Sequence, residues 1–333
     1  MLLFGGSFDP IHNGHLEIAK NAIKHTQYDE VWFLVAALNP FKDKSTSFQH
    51  RVKMIELMIR PFKKLKVCTI ENDMPSPSYS IDTVKRLMKI YPKVEFGFLI
   101  GSDQIPKLNE WKDFEKLNQL VAFSVYEREG HQESHNYPVI PGSHITVSST
   151  EIRKGQSNLT SKHVLRYMMY EGLYLEEIVR NNMSEFRYHH TLEVTKLALE
   201  LGSIHKVDLK KMRLIAMMHD LCKEWEATRL KEIVSMIDER LLEYPSAFYH
   251  AFAASYWLNH YYCIYDKQIL SAIHNHVHGG SYSKYGMILY IADKCERTRP
   301  YDTETLIDLS KQNLIEGFHA VKLSSEKYIK EHI

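Results

Sequence analysis

The stretch that decides the fold of the first half of the chain is Gly5-Gly6-Ser7-Phe8-Asp9-Pro10-Ile11-His12-Asn13-Gly14-His15. It directly follows a short apolar run, Leu2–Phe4, and it opens an amphipathic pattern that predicts a helix. A glycine-rich turn between a strand and a helix lets the backbone approach a phosphate closely, and the helix N-terminus offers unpaired N–H groups. His12 and His15 stand three residues apart around Gly14, which predicts that both imidazoles point at one phosphate chain.

Outward from this stretch, the first half alternates short apolar runs with helical patterns. Strands are predicted at 2–4, 31–36, 66–70, 95–100, 120–126 and 145–147, and the amphipathic segments include 15–25, 48–59 and 81–90. This alternation predicts a Rossmann-like α/β domain, in which a parallel sheet binds ligands beyond the carboxyl ends of its strands. From about residue 175 the periodicity is helical, as over 191–201, 209–219 and 268–276. The predicted domains are therefore an α/β domain over 1–174 and an all-α helical bundle over 175–333.

The overall composition excludes several classes of protein. The chain has 333 residues, of which 44 % are apolar, so each half can bury a core of its own. The formal net charge of +1 argues against a general nucleic-acid binder, which carries a large basic excess. The four cysteines form no CxxC pair, which favours a reduced cytoplasmic compartment. Neither a signal-peptide pattern nor an apolar run of membrane-spanning length is present, so no membrane association is predicted.

A second polar cluster, residues 147–153, closes the first domain. Ser149 or Thr150 is predicted to cap a helix that starts there, and Arg153 lies about one turn inside it. Exposed N–H groups, hydroxyls and a guanidinium together suit the outer phosphates of a nucleoside triphosphate. Taken alone, the cluster is typical of an ordinary capped helix. In the same domain as the Gly/His turn, it favours a nucleotide site.

These two strings, HxGH and SSTxxR, resemble those of the nucleotidylyltransferase superfamily. Within it the similarity is to the nicotinate-nucleotide adenylyltransferases, and it extends over roughly residues 1–174, with further matching stretches at 39–42, 50–51, 79–83, 98–103, Trp111 and 171–174. The resemblance implies transfer of AMP from ATP to nicotinate mononucleotide, with release of pyrophosphate, a Mg²⁺ requirement and no covalent enzyme intermediate. Phosphopantetheine is an alternative substrate, because its enzymes share this phosphate machinery, but Trp111 and the stretch 101–103 favour the nicotinate enzyme.

The chemistry and the resemblance together assign the residues of this first site. Because both substrates are anionic, catalysis consists mainly of positioning and charge neutralisation. The catalytic candidates are His12, His15, Lys42 and Arg153, with His15 nearer the reacting centre. The candidates for binding the ATP phosphates are Gly5, Gly6, Ser7, Phe8, Ser149 and Thr150. The candidates for binding the mononucleotide are Ser80, Thr83, Asp103 and Trp111, of which Trp111 would stack on the nicotinate ring unless it serves only core packing.

Two positions depart from the pattern of the adenylyltransferases. Phe41 stands where the family often has a histidine, and Ser80 stands where a threonine is common. Neither change removes a group that the chemistry requires. Both bear on whether the acid or the amide form of the mononucleotide is the preferred substrate.

The second half of the chain is rich in histidine. The sequence contains 19 histidines, and eleven of them follow residue 175. The doublet His219-Asp220 ends an apolar helical run, where burying both groups without partners would be unfavourable and metal coordination would relieve the cost. The ordered set of candidate ligands is His190, His219, Asp220, His250, His276 and Asp293. Six ligands exceed one tetrahedral site and fit two metal ions bridged by Asp220; iron is the first choice, and manganese, nickel or zinc also suit these ligands.

This ordered set resembles the HD phosphohydrolase superfamily over about residues 180–300. The similarity is to the bacterial branch that occurs as a separate protein beside the adenylyltransferase, and that branch implies symmetrical hydrolysis of diadenosine tetraphosphate to two ADP molecules. Asp220 would be catalytic as the bridging ligand, with Lys223 and Arg299 as phosphate contacts. Val277 departs from the family's usual threonine. The implied partners are ATP, nicotinate mononucleotide and diadenosine tetraphosphate, and a homo-oligomer is compatible with the sequence.

Several alternatives stay open at this stage. His189 competes with His190 as a ligand, and His274 and His278 compete with His276. The second domain could be a regulatory module without catalysis, although its complete ligand set argues against this, or it could hydrolyse a different phosphorylated nucleotide.

Overall fold

The computed structural model of the protein describes residues 1–37, 46–75, 77–127, 135–142, 146–299 and 302–332. Contacts divide the chain into two compact units, the first made of Met1–Ile152 and Leu159–Val164 and the second of Arg153–Asn158 and Leu165–Ile333. The domain boundary predicted between residues 174 and 175 stays a prediction.

The first unit is built on a parallel sheet. Within the described residues its strands are β1 (Leu2–Gly6), β2 (Val31–Val35), β3 (Leu65–Cys68), β4 (Gly97–Gly101), β5 (Ala122–Tyr126) and β6 (Val139–Ile140). Their order across the sheet is β3-β2-β1-β4-β5-β6, and each neighbouring pair runs parallel. The order reverses between β1 and β4, and a sheet of this kind leaves a crevice for ligands at the carboxyl ends of those two strands.

Helices connect these strands. β2 is preceded by α1 (Asn13–His25), and β3 is preceded by α2 (Phe48–Ile59). Before β4 come the 3-10 helix Ile70–Asp73 and α3 (Ser80–Ile90), and before β5 come the 3-10 helix Ser102–Glu110 and α4 (Phe114–Leu120). After β6 the chain forms α5 (Ser149–Arg153). The predicted helix over 48–59 has the bounds of α2, and those predicted over 15–25 and 81–90 differ from α1 and α3 by one or two residues at the N-terminal end.

The central strands are apolar on both faces because both faces are covered. Leu3 belongs to the core cluster that contains α3 residues such as Val84. Phe4 contacts Phe8 and Phe33, with ring centroids 5.5 Å away in each case, and His15 of α1 at 6.0 Å. Adjacent residues of a strand point to opposite sides of the sheet, so Leu3 faces the side covered by α3 and Phe4 the side covered by α1.

The sixth strand differs from its prediction. The sequence indicated a strand at 145–147, but Thr146 and Val147 are not in a strand, and β6 is formed by Val139 and Ile140, which pair with Val125 and Tyr126. Residue 145 lies outside the described residues. The apolar run was misinterpreted because Val147 lines a cavity just before α5 and does not pair with a strand.

The second unit is helical. After α6 (Lys162–Tyr170), its helices in the described residues are α7 (Leu175–Asn181), α8 (Glu185–Ile204), α9 (Leu209–Met218), α10 (Ala227–Ile237), α11 (Tyr249–His260), α12 (Lys267–His274), α13 (Lys284–Cys295), α14 (Glu304–Gln312) and α15 (Leu314–His332). α13 is the most deeply buried of these, with ten of its twelve residues buried. The predicted fold classes, α/β followed by all-α, are confirmed.

No helix in the described part of the chain has both the length and the apolar character needed to cross a membrane.

Candidate functional site

A cavity of about 830 Å³ lies at the carboxyl ends of β1 and β4, where the strand order reverses. The structure brings most of the predicted residues of the first site to its wall. They are Gly5, Gly6, Ser7, Phe8, His12, His15, Ser80, Asp103, Trp111, Ser149 and Thr150. Residues that are more than 100 positions apart in the sequence therefore share one cavity, as the parallel-sheet prediction requires.

The two histidines of the first motif stack on each other. The ring centroids of His12 and His15 are 3.6 Å apart, with an angle of 29° between the planes. The backbone N–H of His12 donates to Nδ1 of His15 at 3.3 Å. Because Nδ1 of His15 accepts this hydrogen bond, its neutral ring carries the proton on Nε2 and can donate from that atom to an anionic oxygen.

Gly14 leaves room for the ring of His12, which a side chain at this position would have to displace by a few tenths of an ångström. A Cβ atom on Gly14 would lie 3.1 Å from Nδ1 and Cε1 of His12 and 3.4 Å from Cγ1 of Val147. The glycine of HxGH thus has a packing role at the helix start in addition to its backbone freedom.

Phe8 supports the turn between β1 and α1 with its buried ring. Its backbone adopts a left-handed conformation with φ of 50°, and its side chain is 2 % exposed. The ring packs edge-on against His15, with centroids 5.0 Å apart, and against Phe33 at 5.3 Å. A buried non-glycine residue in this backbone region needs such support from its surroundings.

The start of α5 is capped by a different residue from those predicted. The hydroxyl of Ser148 accepts from the backbone N–H of Glu151 at 3.1 Å, and the carboxylate of Glu151 accepts from the backbone N–H of Ser148 at 2.7 Å. The prediction that Ser149 or Thr150 caps the helix is wrong, because the helix already begins at Ser149 and the capping position is the residue before it. Ser149 instead donates its hydroxyl to the carbonyl of Pro10 at 2.9 Å and so joins α5 to the first motif.

The part of the cavity where the mononucleotide is predicted to bind contains aromatic and polar groups. Trp111 is partly buried and packs edge-on against Phe98, with centroids 5.8 Å apart, while also lining the cavity. It therefore combines core packing with a cavity-facing position. Asp103 accepts from Nε2 of Gln104 at 2.7 Å, and a Cβ on Gly101 would collide with its carboxylate.

Glu71 is a functional candidate that the sequence did not indicate. Its buried carboxylate accepts hydrogen bonds from the hydroxyl of Thr83 at 3.0 Å, the backbone N–H of Ala37 at 3.2 Å and the hydroxyl of Ser78. Thr83, a predicted substrate contact, is fully buried and also donates to the carbonyl of Tyr79. Thr83 therefore fixes the start of α3, and Glu71 lines the cavity itself.

Arg51 is another buried residue that holds the cavity wall. Its side chain is 2 % exposed, and its guanidinium donates to the carbonyls of Ser7 at 2.9 Å and Ala36 at 2.8 Å. These carbonyls follow β1 and β2, so Arg51 fixes the ends of two adjacent strands. A single cation that satisfies several backbone carbonyls has no sequence pattern beyond its own presence.

Two predicted catalytic residues remain untested by this geometry. Lys42 lies outside the described residues. Arg153 ends α5 and belongs by its contacts to the second unit, where its Nε donates to Oε2 of Glu177 at 3.3 Å. Their contacts with a triphosphate stay predictions.

In the second unit, the six predicted ligands converge from five separate segments. His190 is the sixth residue of α8, His219 and Asp220 directly follow α9, His250 is the second residue of α11, His276 follows α12, and Asp293 lies near the end of α13. All six are buried.

The first ligand group contains His190, His219 and one oxygen of Asp220. Nε2 of His190 lies 3.9 Å from Oδ2 of Asp220, and Nε2 of His219 lies 3.7 Å from the same oxygen. Asp293 faces both rings, with its Oδ1 3.2 Å from His190 and 3.9 Å from His219. The Nε2 atoms of His190 and His219 are buried and make no hydrogen bond in the described structure. Buried nitrogens of this kind are suited to bind a cation.

The second ligand group uses the other oxygen of Asp220. Nε2 of His250 is 3.1 Å and Nε2 of His276 is 3.5 Å from Oδ1 of Asp220. The two Nε2 atoms are 3.3 Å apart. Two groups that share one bidentate carboxylate match a dinuclear centre, and the imidazole and carboxylate donors suit first-row transition metals.

The opposite ring nitrogens fix how these imidazoles face the centre. Nδ1 of His219 lies 2.7 Å from the carbonyl of Ala216, and Nδ1 of His276 lies 2.7 Å from the carbonyl of Ile273. Each Nδ1 therefore donates its proton to a carbonyl, which leaves the lone pair of Nε2 directed at the centre. Nδ1 of His190 faces Glu296 instead, at 3.4 Å.

Burial keeps these ligands in the protonation state that metals require. Burial lowers the pKa of both His219 and His250 to about 4, so both are neutral near pH 7. Burial alone would raise the pKa of Asp220, but the adjacent imidazoles of His219, His250 and His276 outweigh it, and its pKa is well below the usual range.

Cations stand directly around the two carboxylates. Nη1 of Arg187 donates to Oδ2 of Asp220 at 2.9 Å, and Nζ of Lys294 donates to Oδ2 of Asp293 at 2.9 Å. Arg187 belongs to the Arg-x-x-His190 pattern that carries the resemblance to the HD phosphohydrolases, although the sequence assigned it no role; it lies one helical turn before His190 and shares its face. A role for Lys294 was not predicted, because adjacent residues of a helix point in different directions.

The two predicted phosphate contacts lie beside the ligands. Nζ of Lys223 is 3.5 Å from Nδ1 of His250, and burial lowers its pKa. Arg299 donates from Nη2 to the carbonyl of Asp293 at 2.6 Å, and the same nitrogen is 3.7 Å from Oδ1 of that residue. Both are within the site, while their contact with a phosphate stays a prediction.

The competing histidines lie outside both ligand groups. The side chain of His189 is 68 % exposed and pairs with Glu185 at 3.4 Å. The ring of His274 packs on Phe252, with centroids 4.5 Å apart, and that of His278 packs on Phe248 at 5.7 Å.

Comparison with known proteins supports the same division of the chain. The family model described as cytidylyltransferase-like matches residues 3–155, and the HD domain model matches residues 187–298. The "Probable nicotinate-nucleotide adenylyltransferase/Ap4A hydrolase" of Mycoplasma genitalium is 30 % identical over 96 % of this chain and 95 % of its own length. The chain therefore belongs to the family of nicotinate-nucleotide adenylyltransferase/Ap4A hydrolases.

Two further relatives agree with this assignment. The protein of the same name from Mycoplasma pneumoniae is 29 % identical over 94 % of this chain and 95 % of its own length. The "Probable nicotinate-nucleotide adenylyltransferase" of Methylacidiphilum infernorum is 38 % identical over 53 % of this chain and 92 % of its own length. The resemblances inferred from HxGH, SSTxxR and the histidine set are thus confirmed at the level of the family.

Proposed function

We propose that the chain is a bifunctional nucleotide enzyme. Its first unit transfers AMP from ATP to nicotinate mononucleotide, and its second unit hydrolyses diadenosine tetraphosphate symmetrically to ADP. The observation that carries the proposal is the coexistence of the Gly/His cavity at the sheet reversal with two metal-ligand groups joined by Asp220. The names of the full-length relatives agree with this pair of activities.

In the first unit, the mononucleotide phosphate would attack the α-phosphorus of ATP, with pyrophosphate leaving. The Nε2–H group of His15 would donate a hydrogen bond to a phosphoryl oxygen, since Nδ1 of the same ring already accepts one from the backbone. His12, stacked on it, would contact the same phosphate chain, and Lys42 and Arg153 would neutralise the triphosphate with its Mg²⁺. The face of Trp111 would stack on the nicotinate ring, and the start of α3, including Ser80, would supply polar contacts to its carboxylate.

Purified protein, incubated with ATP and either nicotinate or nicotinamide mononucleotide, tests the first activity. The acid form should react faster, with deamido-NAD and pyrophosphate as products. Equal or reversed rates would contradict the choice of substrate, and no adenylylated product from either mononucleotide would contradict the reaction itself.

The second site fits two divalent metals, with iron the first choice and manganese, nickel or zinc also suited to its ligands. The fit rests on the buried, unpaired Nε2 atoms of His190 and His219 and on the two oxygens of Asp220. When bound, such a pair of cations supplies a polarised water and neutralises charge on the phosphoryl group. Lys223 and Arg299 would bind the phosphates on either side of the reacting phosphorus, and Arg187 would hold Asp220 in its bridging orientation.

Metal analysis and product identification test this second activity. Protein purified gently should contain more than one transition metal per chain and should convert diadenosine tetraphosphate to ADP alone. AMP plus ATP as products would contradict symmetrical cleavage. Less than one metal per chain, with no hydrolysis after addition of iron, manganese or nickel, would favour a regulatory module.

A further inference from the structure

Three aromatic side chains beside the second ligand group are not used by the proposed chemistry. The rings of Tyr244, Phe248 and His278 contact one another, with centroids 5.9 Å apart for Tyr244 and Phe248, 6.0 Å for Tyr244 and His278, and 5.7 Å for Phe248 and His278. We call these three residues the aromatic trio.

Two residues of the aromatic trio are close in sequence to two of the predicted metal ligands. Phe248 lies two residues before His250, at the start of α11, and His278 lies two residues after His276. The Nε2 atoms of those two ligands are only 3.3 Å apart, so the segments that carry the trio meet at the second ligand group. A molecule whose phosphate reaches Asp220 would have the trio next to it.

The trio is rigidly backed and partly open to solvent. Tyr244 packs edge-on against Phe252, which is 1 % exposed, with centroids 5.6 Å apart. The hydroxyl of Tyr249 donates to the carbonyl of Leu242 at 2.9 Å and fixes the loop before α11. Tyr244 nevertheless remains 45 % exposed. A fixed aromatic surface that keeps one side open is suited to stacking.

His278 takes part in the trio through its ring and not through a free nitrogen. Its Nδ1 is closed off by the surrounding protein, while the ring packs on both Tyr244 and Phe248. A supported cluster of aromatic rings that stays partly open to solvent is the kind of surface on which nucleobases stack.

We propose that the aromatic trio binds the adenine base of the nucleotide whose phosphates occupy the second site. This inference rests on the proposed hydrolase function and names the part of the protein that selects nucleotides over base-free polyphosphates. Tyr244 and Phe248 stack on the base, and the ring of His278 packs on both and holds them in place.

The test compares a substrate with a base and one without. Wild-type chain, Tyr244→Ala and Phe248→Leu are loaded with Mn²⁺ and assayed on diadenosine tetraphosphate and on inorganic tetrapolyphosphate. Each substitution should raise KM for diadenosine tetraphosphate about tenfold, in line with the measured effect of removing a base-stacking ring. Hydrolysis of tetrapolyphosphate and metal content should stay unchanged, and Tyr244→Phe should restore the wild-type KM.

Tyr282→Ala is the matched control, because Tyr282 is 63 % exposed in the same unit and lies outside the trio. Equal losses with both substrates, or equal losses in the control, would overturn the inference. Thermal unfolding of each variant shows whether a loss reflects unfolding, and Phe248→Leu keeps most of the apolar volume at that position.

A binding measurement separates this inference from the proposed function. ADP and inorganic pyrophosphate are titrated calorimetrically into the Mn²⁺-loaded chain; binding of ADP at the first site is common to wild type and variants, so their difference reports on the second. If ADP binding weakens in Tyr244→Ala but diadenosine tetraphosphate is not hydrolysed by wild type, the subsite stands and the hydrolase substrate is wrong. If ADP binding is unchanged in both variants, the subsite is wrong whatever the enzyme hydrolyses.

Discussion

At the residue scale, Asp220 is the side chain on which the second site depends. Its Oδ2 faces His190 and His219, and its Oδ1 faces His250 and His276. No other carboxylate in the described residues is shared by both ligand groups. Loss of its charge should therefore affect both metals at once.

We expect Asp220→Asn to lose metal and hydrolysis together. The neutral amide cannot bridge two cations with two anionic oxygens, so the metal content should fall below one per chain and hydrolysis by more than about 100-fold. Elemental analysis and the two activity assays measure this, and adenylyl transfer should continue. Asp308→Asn, at an exposed ion pair with Lys311, is the control and should change neither quantity.

The buried histidines predict how the stability of the metal-free chain depends on pH. The pKa of His219 is about 4 in the folded chain and about 6.5 in the unfolded chain, so the unfolded state binds more protons between these values. The free energy of unfolding should thus be highest above pH 6.5 and should fall as the pH drops towards 4, by about 1.4 kcal/mol per pH unit for each such group.

Denaturant unfolding of the metal-free chain, followed by circular dichroism from pH 8 to pH 4.5, checks this dependence. In His219→Gln one of the titrating groups is missing, so its stability should fall less steeply below pH 6.5 than that of wild type. Parallel curves for the two proteins would contradict a depressed pKa at His219.

At the scale of single elements, the turn before α3 shows how a buried carboxylate organises a binding surface. Glu71 lies in the 3-10 helix Ile70–Asp73; its Oε2 accepts from Ser78 and from Ala37, after β2, and its Oε1 accepts from Thr83. One side chain therefore holds three short segments at the part of the cavity where the mononucleotide is predicted to bind.

We expect Glu71→Gln to weaken mononucleotide binding more than ATP binding. The amide nitrogen would face hydrogen-bond donors, and a buried mismatch of this kind destabilises a protein by about 1–3 kcal/mol. KM for nicotinate mononucleotide should rise about tenfold with a smaller change for ATP, and the melting temperature should fall. Steady-state kinetics, with each substrate varied in turn, measure this difference; an equal rise of both KM values would contradict a role of Glu71 in mononucleotide binding. Glu56→Gln, on the exposed face of α2, serves as the control.

At the scale of the whole molecule, the two units should depend on different metals. The second site offers mainly imidazole nitrogens, which suit transition metals, whereas Mg²⁺ prefers oxygen ligands and stays largely hydrated. After removal of metals with a chelator, Mg²⁺ alone should restore adenylyl transfer but not hydrolysis. Added Mn²⁺ or Fe²⁺ should then restore hydrolysis; full recovery of both activities with Mg²⁺ alone would contradict the assignment of the ligands.

The sequence by itself determined the class of each half, because periodicity and turn residues are local properties. The Gly/His turn between β1 and α1, the helix over 48–59 and the change to helices after residue 175 all follow from neighbours within one or two turns of the chain. The six residues predicted as metal ligands are also the ones that the structure gathers around Asp220. The sequence pointed to them because burying His219 and Asp220 at the end of an apolar helical run is costly without a partner, and because the remaining four form an ordered set with that doublet.

Only the tertiary structure decided which side chains share a site and which groups hold them there. Glu71 and Lys294 act through partners that are remote in sequence or on a neighbouring helix face, so no local pattern marks them. Arg51 and Arg187 lie in recognisable sequence patterns, but the groups that they hold are visible only in the folded chain. The cap of α5 and the position of β6 were likewise decided by packing, because a short apolar run can line a cavity as well as pair with a strand. Local sequence sets the conformations that a segment prefers, whereas burial and hydrogen bonding between distant segments select among them.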